Sequence, residues 1–288
     1  MNEYPLVSIL LLSMNHEQFI KKCVDSLANQ TYQNIEIIYL DNASTDNTFE
    51  IASKHIKSLS FPYKIFRNEY SEPISKNVDF LYGQSRGDFI ATLSTDDWWK
   101  ENNVDLKADI LSKNPQAGMV YSDGFLYTDE SNKKLFSQQD RTYSGNILHR
   151  ILLYNFIKAP SVMLRRKVLE VVGNYDTKLD IEDWDMWIRI AEKFPILYCN
   201  QPTVFYRVSH GANISSNQPF MVKAVDQIIQ KYSDKYPVEM KTVLRKNILK
   251  EATYRTNEKT VSFNWLMKNL QINIPYFKLI IKNVFNVN

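Results

Sequence analysis

The stretch FIATLSTDDWWK, Phe89 to Lys100, runs an apolar segment into two adjacent carboxylates, Asp96 and Asp97, followed at once by Trp98 and Trp99. Neighbouring negative charges disfavour one another unless a proton, a cation or hydrogen-bond donors come between them. A pair of acids on a tight turn after a strand has three uses. It can cap a following helix. It can hold a hard cation such as Mg²⁺ or Mn²⁺, which takes oxygen ligands and shares them with substrate phosphates. It can also bind a sugar hydroxyl. A cap needs only one acid, so the second argues for one of the other two. A further acidic pair, Glu182 and Asp183, opens the segment IEDWDMWIRI. Ile181, Trp184, Ile188 and Ala191 recur there as an apolar helical stripe. Both carboxylates then sit at a helix N-terminus, where the dipole favours negative charge. At the rim of a pocket, beside Trp184 and Trp187, such a carboxylate can instead serve as a general base. Asp185 and Arg189, four residues apart, read as a surface ion pair.

Composition narrows the choice. The 288 residues are 44% hydrophobic and 23% charged, ordinary for a globular chain with a sizeable core. A net charge of +3 is too slight to argue for nucleic acid, and the 17 Tyr and 15 Phe are not interleaved with basic runs. The seven glycines form neither GxGxxG nor GxxxxGK[ST]. A phosphorylated ligand would therefore have to be met by a cation or by basic side chains. Two cysteines, Cys23 and Cys199, offer no disulfide framework, which fits a reducing cytoplasm. Cys23 falls on an apolar helical face and reads as a buried free thiol. The apolar run near the N-terminus has no basic residues before it and falls short of the about 20 residues that span a bilayer, so it reads as a buried strand.

The elements that must position these acids alternate regularly. Leu6–Leu12, Ile35–Leu40, Tyr63–Phe66, Phe89–Leu93 and Gly118–Asp123 have strand character; helical spacing covers 17–29, about 47–57, 76–85 and 103–113. Asn47 and Glu50 stand at capping-box spacing. Strand–helix alternation implies a mostly parallel sheet in an α/β layer fold, whose ligands bind at the carboxyl ends of the strands. Asp41 and the Asp96/Asp97 pair sit at two such ends. The polar stretch after Asp123, YTDESNKKLFSQQDRTYSGN, reads as an excursion or loop; from about Pro219 onward the pattern is helical.

Four blocks in order resemble the family 2 glycosyltransferases: VSILLLSMN…SLANQTYQNIEIIYLDNASTDNT, ISKNVDFLYGQSRGDFIATLSTDDWW, VGNYDTKLDIEDWDMWIRIA and, more weakly, VFYRVSHGANIS. Together they cover Val7 to about Ser215. The resemblance implies a GT-A fold, with residues 1–215 as catalytic domain, nucleotide-binding to about 123 and acceptor-side from about 124, and residues 216–288 as a helical extension. It implies an inverting transfer from a UDP-sugar to a saccharide acceptor, with Mn²⁺ or Mg²⁺ as cofactor. Ser13, Asn15, Asp41, Asp46, Lys76 and Asn77 take the nucleotide-side positions, Asp41 that of the acid reading the uracil edge. Asp96 and Asp97 take the end of the metal-binding motif, with Asp96 also toward the ribose. Asp183, with Glu182, takes the place of the general base. Arg207 and His210 take a late basic segment over the diphosphate, His210 also as a metal ligand. Trp98 and Trp184 fall on the acceptor side.

The match has departures. Ser94 stands where the family's metal motif has its first acid, and Leu12-Ser13-Met14 replaces a Pro-Thr-Tyr. Two other readings stay open, a non-catalytic sugar-nucleotide binder and a nucleotidyltransferase, although the latter would want a basic, Gly-rich loop that LSMNHEQF lacks. The C-terminal stretch from Phe263 mixes Trp265, Phe277, Ile280, Ile281 and Phe285 with Lys268, Lys278 and Lys282. It reads as an amphipathic helix packed on the catalytic domain, with a membrane-surface helix as the second reading, suited to a lipid-linked acceptor.

Overall fold

A computed structural model of the chain describes residues 5–208 and 216–257. His210 and the stretch from Phe263 lie outside the described residues. The chain divides into two compact units, one of Met1–Ile151 with Asn155–His210, the other of Leu152–Tyr154 with Gly211–Asn288.

In the first unit, β1 (Val7–Ser13), β2 (Ile35–Asp41), β3 (Tyr63–Arg67) and β4 (Phe89–Ser94) form the parallel half of one sheet, in the order β3-β2-β1-β4. The helices α1 (Ile20–Ala28), α2 (Thr48–Lys57) and α3 (Ile74–Gln84) connect them. Every residue of β2 and six of the seven in β1 are buried, which is why both read as unbroken apolar runs and not as alternations. Ser13 pairs with Asp41, and Leu12 with both Leu40 and Ser94, so the carboxyl ends of three strands finish side by side.

Beyond β4 the sheet turns mixed. The chain passes through β5 (Trp98–Trp99), α4 (Asn103–Lys113), β6 (Met119–Tyr127), β7 (Lys133–Leu135), α5 (Phe136–Gln139) and α6 (Leu148–Leu153) to β8 (Val162–Arg165). It then forms α7 (Arg166–Val172), α8 (Glu182–Ala191) and β9 (Ile196–Arg207). β8 lies antiparallel to β4 and β6, β9 runs parallel to β6, and β5 pairs antiparallel with β9, Trp98 facing Phe205. β6 thus joins the sheet through β8 and does not continue the parallel series.

Several local expectations are corrected. The Asp96/Asp97 turn leads into β5 and not into a helix. Residues 17–19 form a turn, with Phe19 and Ile20 both donating to the His16 carbonyl, so α1 begins later than its periodicity suggests. The capping box at Asn47 and Glu50 is not formed: the Asn47 side chain donates to Glu17 and makes no cap bond, while Asp46 accepts from the Thr48 backbone. The polar excursion contains β7 and α5. Asp185 and Arg189 pair at 2.9 Å, yet Asp185 is wholly buried, so their pair is internal.

Gly87 is required where β4 approaches β1. A Cβ there would lie 2.6 Å from Ser8 N and 2.7 Å from the Leu6 carbonyl. Beside it, the buried Glu36 accepts from Ser8 Oγ and from the Arg86 backbone and Nε, which meets its charge.

The second unit is built on α9 (Gln218–Tyr232) and α10 (Pro237–Asn257). α9 buries Ala224, Ile228, Ile229 and Tyr232, and α10 buries Met240, Val243 and Asn247. The Asn247 amide donates to the Val222 carbonyl and to Asp226, fixing the register of the two helices.

Candidate functional site

The aligned ends of β1 and β2 create a dense polar knot. Asp41 is fully buried and accepts from Ser13 Oγ at 2.9 Å, from the Ser44 backbone at 2.9 Å and from Ser44 Oγ, with Arg67 Nε 3.5 Å away. Its carboxylate is already satisfied by the protein, so direct contact with a base edge would require this set to open. Asn15 (φ +55°) accepts from the Thr45 backbone at 2.9 Å and donates its own N–H to Ser44. Asp46 accepts from Thr48 and from the Glu17 backbone. Ala43 holds φ +59°, a left-handed conformation that costs a non-glycine residue about 1–3 kcal/mol. That strain persists because Asp41 and Ser44 are bonded on either side of it. No sequence signal marks it.

Asn77 is buried and joins Asn68, which also donates to Asn42; the Asn42 amide in turn bonds Glu72. This amide chain pins the loop 68–72 over the end of β2. Asn42 and Asn68 belong to it although only Asn77 was singled out by sequence. Lys76 is exposed and paired with Glu72 at 2.7 Å.

The turn after β4 is different in kind. Asp96 and Asp97 are both buried, Asp97 with 1% exposure. Asp97 Oδ1 accepts from the Arg207 backbone at 2.8 Å, but Asp97 Oδ2 is buried with no hydrogen-bond partner. Burial first, and then the neighbouring Asp96, push its carboxyl well above the usual carboxylate range. A buried carboxylate oxygen without a donor is costly, and a divalent cation would relieve it. Among the described residues there is no group of three or more His, Cys, Asp or Glu arranged to hold a metal. Two carboxylates with substrate phosphates nevertheless make a sufficient donor set for Mg²⁺ or Mn²⁺. The residues present therefore fit the cofactor, despite Ser94. His16 Nδ1 and Thr95 Oγ1 are 2.8 Å apart, which ties the loop after β1 to this turn.

Arg207 is held against the same turn. Its Nε donates to the Asp96 carbonyl at 3.0 Å, and its guanidinium lies 4.4 Å from the Phe19 ring, 4.9 Å from Trp98 and 5.5 Å from Tyr127. To reach a diphosphate it would have to leave this box. Trp98 is stacked on Phe205 at 4.8 Å, with Lys22 Nζ 3.7 Å from its ring. It lines a groove of about 670 Å³ with Lys22, Asn29 and Lys100, apart from the Glu182/Asp183 cavity.

Glu182 and Asp183 begin α8 above Ile90 and Thr92 of β4, the strand that ends in the aspartate turn. The cavity they line has apolar walls from Val78, Val162 and Leu164 and a volume of about 20 Å³, room for a single water. Burial raises both carboxyls above their ordinary range; for Glu182 the adjoining Asp183 charge adds to the rise. Asp183 Oδ1 accepts from Asn155 at 3.3 Å and from the Trp184 backbone at 2.6 Å, which limit its rise. This is the profile of a carboxylate able to take up a proton near neutral pH. The tryptophan lining the cavity is Trp187, whose buried Nε1 has no acceptor. Trp184, also buried, does not line the cavity and donates to the Ile151 carbonyl at 2.7 Å. Asn155 was not found by sequence reasoning, because it meets Asp183 across 28 residues of chain.

One strand thus carries an orphaned carboxylate at its end and lines a cavity with a second acidic pair whose carboxyls are raised by burial, on a GT-A type α/β sheet. The sequence profile of Glycosyl transferase family 2 matches residues 8–173, and the chain belongs to that family. It is a glycosyltransferase.

Among its relatives, the chondroitin synthase of Escherichia coli is 28% identical over 218 residues, 73% of this chain, which spans only 30% of that protein's length. The Escherichia coli UDP-Glc:alpha-D-GlcNAc-diphosphoundecaprenol beta-1,3-glucosyltransferase WfaP is 28% identical over 214 residues, covering 74% of this chain and 81% of WfaP. In fold, the chain resembles S. aureus TarS 1–349, solved with UDP-GlcNAc, at a TM-score of 0.68 and 16% identity, over 97% of this chain and 81% of the other. It also resembles the mannosyltransferase PcManGT of Pyrobaculum calidifontis, solved with GDP-Man and Mn²⁺, at a TM-score of 0.66 and 13% identity, over 100% and 89%.

Proposed function

We propose that this glycosyltransferase moves a hexose or N-acetylhexosamine from a UDP-sugar, with inversion, to a glycan or lipid-linked saccharide. It would act in the cytoplasm, in building a bacterial surface polysaccharide or glycoconjugate. The observation that carries the reading is Asp97 Oδ2, a buried carboxylate oxygen with no donor, beside Asp96 at the end of a central strand. The donor named for WfaP and the nucleotide sugar in the TarS complex support UDP.

Asp96 and Asp97 would hold the divalent cation, with His210 as a further ligand by resemblance. Bound there, it would supply a Lewis acid that stabilises the departing diphosphate. Arg207 holds the turn in place through its backbone N–H and Nε. Ser13, Asn15, Asp41 and Asp46 fix the loop that receives the nucleotide, and Asn77 with Lys76 borders it. Asp183 takes the proton of the acceptor hydroxyl. That oxygen's electron pair forms the new bond to the anomeric carbon from the face opposite UDP, and the bond from that carbon to the UDP oxygen breaks. A single displacement inverts the centre. Asn155 and the Trp184 backbone orient the carboxylate of Asp183; burial tunes it to accept a proton.

Calorimetric titration of UDP, with Mn²⁺ and again with EDTA, tests the proposal. Binding that depends on Mn²⁺ is expected. Equal binding in EDTA would reject the aspartate turn as a cation site, and no binding in either condition would reject the nucleotide-sugar reading.

A further inference from the structure

The chain's small net charge hides a division. Residues 216–288 hold twelve Lys and Arg against five Asp and Glu, a net of +7, so residues 1–215 carry −4 of the overall +3. Within the described part of the second unit, this charge gathers on α10. Met240, Val243 and Asn247, at i, i+3 and i+7, form the face buried against α9. Val238, Lys241 and Arg245 repeat the same spacing on the opposite face, with Lys246 beside them, while Lys250 follows Val243 by seven residues on the other side of the helix. All four cations are exposed, and none is in an ion pair among the described residues. Val238 is 73% exposed among the outer-face cations. No described helix is long and apolar enough to cross a membrane.

Three cations around a protruding valine on one outward helix face suit a surface that offers fixed negative charge above an apolar layer. A free anion would satisfy the cations and leave Val238 in water. An uncharged bilayer would satisfy Val238 alone. We propose that the outer face of α10 docks the protein on anionic phospholipid, with Lys241, Arg245 and Lys246 at the headgroups and Val238 among them. The inference is independent of the proposed donor and acceptor.

The test is co-sedimentation of the full chain with vesicles of phosphatidylglycerol and phosphatidylcholine, beside vesicles of phosphatidylcholine alone. Binding to the anionic vesicles only, weakening with salt, is expected. A cation near such a surface is worth about fivefold in partition. The triple variant Lys241→Gln, Arg245→Gln, Lys246→Gln should therefore bind roughly 100-fold more weakly. A second variant, Lys54→Gln, Lys57→Gln, Lys113→Gln, removes the same charge from the first unit and should bind as the parent does. All six positions are exposed on helices, so both variants should fold, which circular dichroism checks. Undiminished binding of the first variant would overturn the proposal, as would equal losses in both. Tighter binding to a soluble polyuronate than to the vesicles, lost in the first variant, would assign the face to an acidic glycan instead.

Discussion

Asp97 offers the sharpest test, because what suits it to a cation makes it a burden without one. Asp97→Asn keeps the oxygen that accepts from the Arg207 backbone and replaces the orphaned Oδ2 by a neutral amide. At a pH above the raised titration range of Asp97, where the carboxyl is ionised, removing this buried unsatisfied charge is worth about 1–3 kcal/mol. At the roughly 2–4 °C per kcal/mol of a domain this size, the metal-free melting midpoint should rise by about 2–12 °C. The wild type should recover the difference on loading, since Mn²⁺ with UDP at one hundred times its dissociation constant stabilises by about 2.7 kcal/mol. The variant should lose most of that gain. Thermal melts with EDTA, with Mn²⁺ and with Mn²⁺ plus UDP read all of this in three curves per protein. A variant less stable than the parent in EDTA, or one with an undiminished Mn²⁺ shift, would refute the reasoning.

Asp183→Asn should lower turnover by about 10²–10⁴ while leaving the affinity for UDP unchanged, as isothermal titration can show. Because burial raises the Asp183 carboxyl, and a base must be deprotonated, the acid limb of the wild-type rate profile should lie above the ordinary carboxylate range. Asn155→Ala removes a hydrogen bond that favours the anion, so the limb should move higher still; an unchanged limb would argue against Asp183 as base. Glycines divide by location: Gly87→Ala would force Ser8 from β4 and should cost about 1–3 kcal/mol or more in urea melts. Gly83→Ala, in α3 with nothing within 4 Å of the new Cβ, should gain up to about 1 kcal/mol.

The strands β1, β2 and β4 were legible because strands buried on both faces must be apolar throughout, and few other segments are. The acids at their ends were legible for a related reason, since charge directly after such a run has to be met by something. Asp183 was placed at a helix start by the spacing of Trp184, Ile188 and Ala191. Sequence could not supply β5 and β9. A two-residue strand has no period, and Trp98 becomes a strand only by pairing with Phe205, more than a hundred residues away.

That pairing decided the chemistry of the turn. It brings the Arg207 backbone to Asp97 Oδ1, leaves Oδ2 without a donor and closes three rings around the guanidinium. The roles of Trp184 and Trp187 were likewise settled by packing, because two tryptophans three residues apart share a helix face and only their neighbours distinguish them. Asp41 shows the same limit: sequence set it at a strand end, and Ser13, Ser44 and Arg67 then took up its hydrogen-bonding capacity. Residue type and local period determined which groups could carry charge and which segments would bury. Whether a buried charge is already satisfied depends on donors from distant segments of the chain, and only the tertiary structure brings those together.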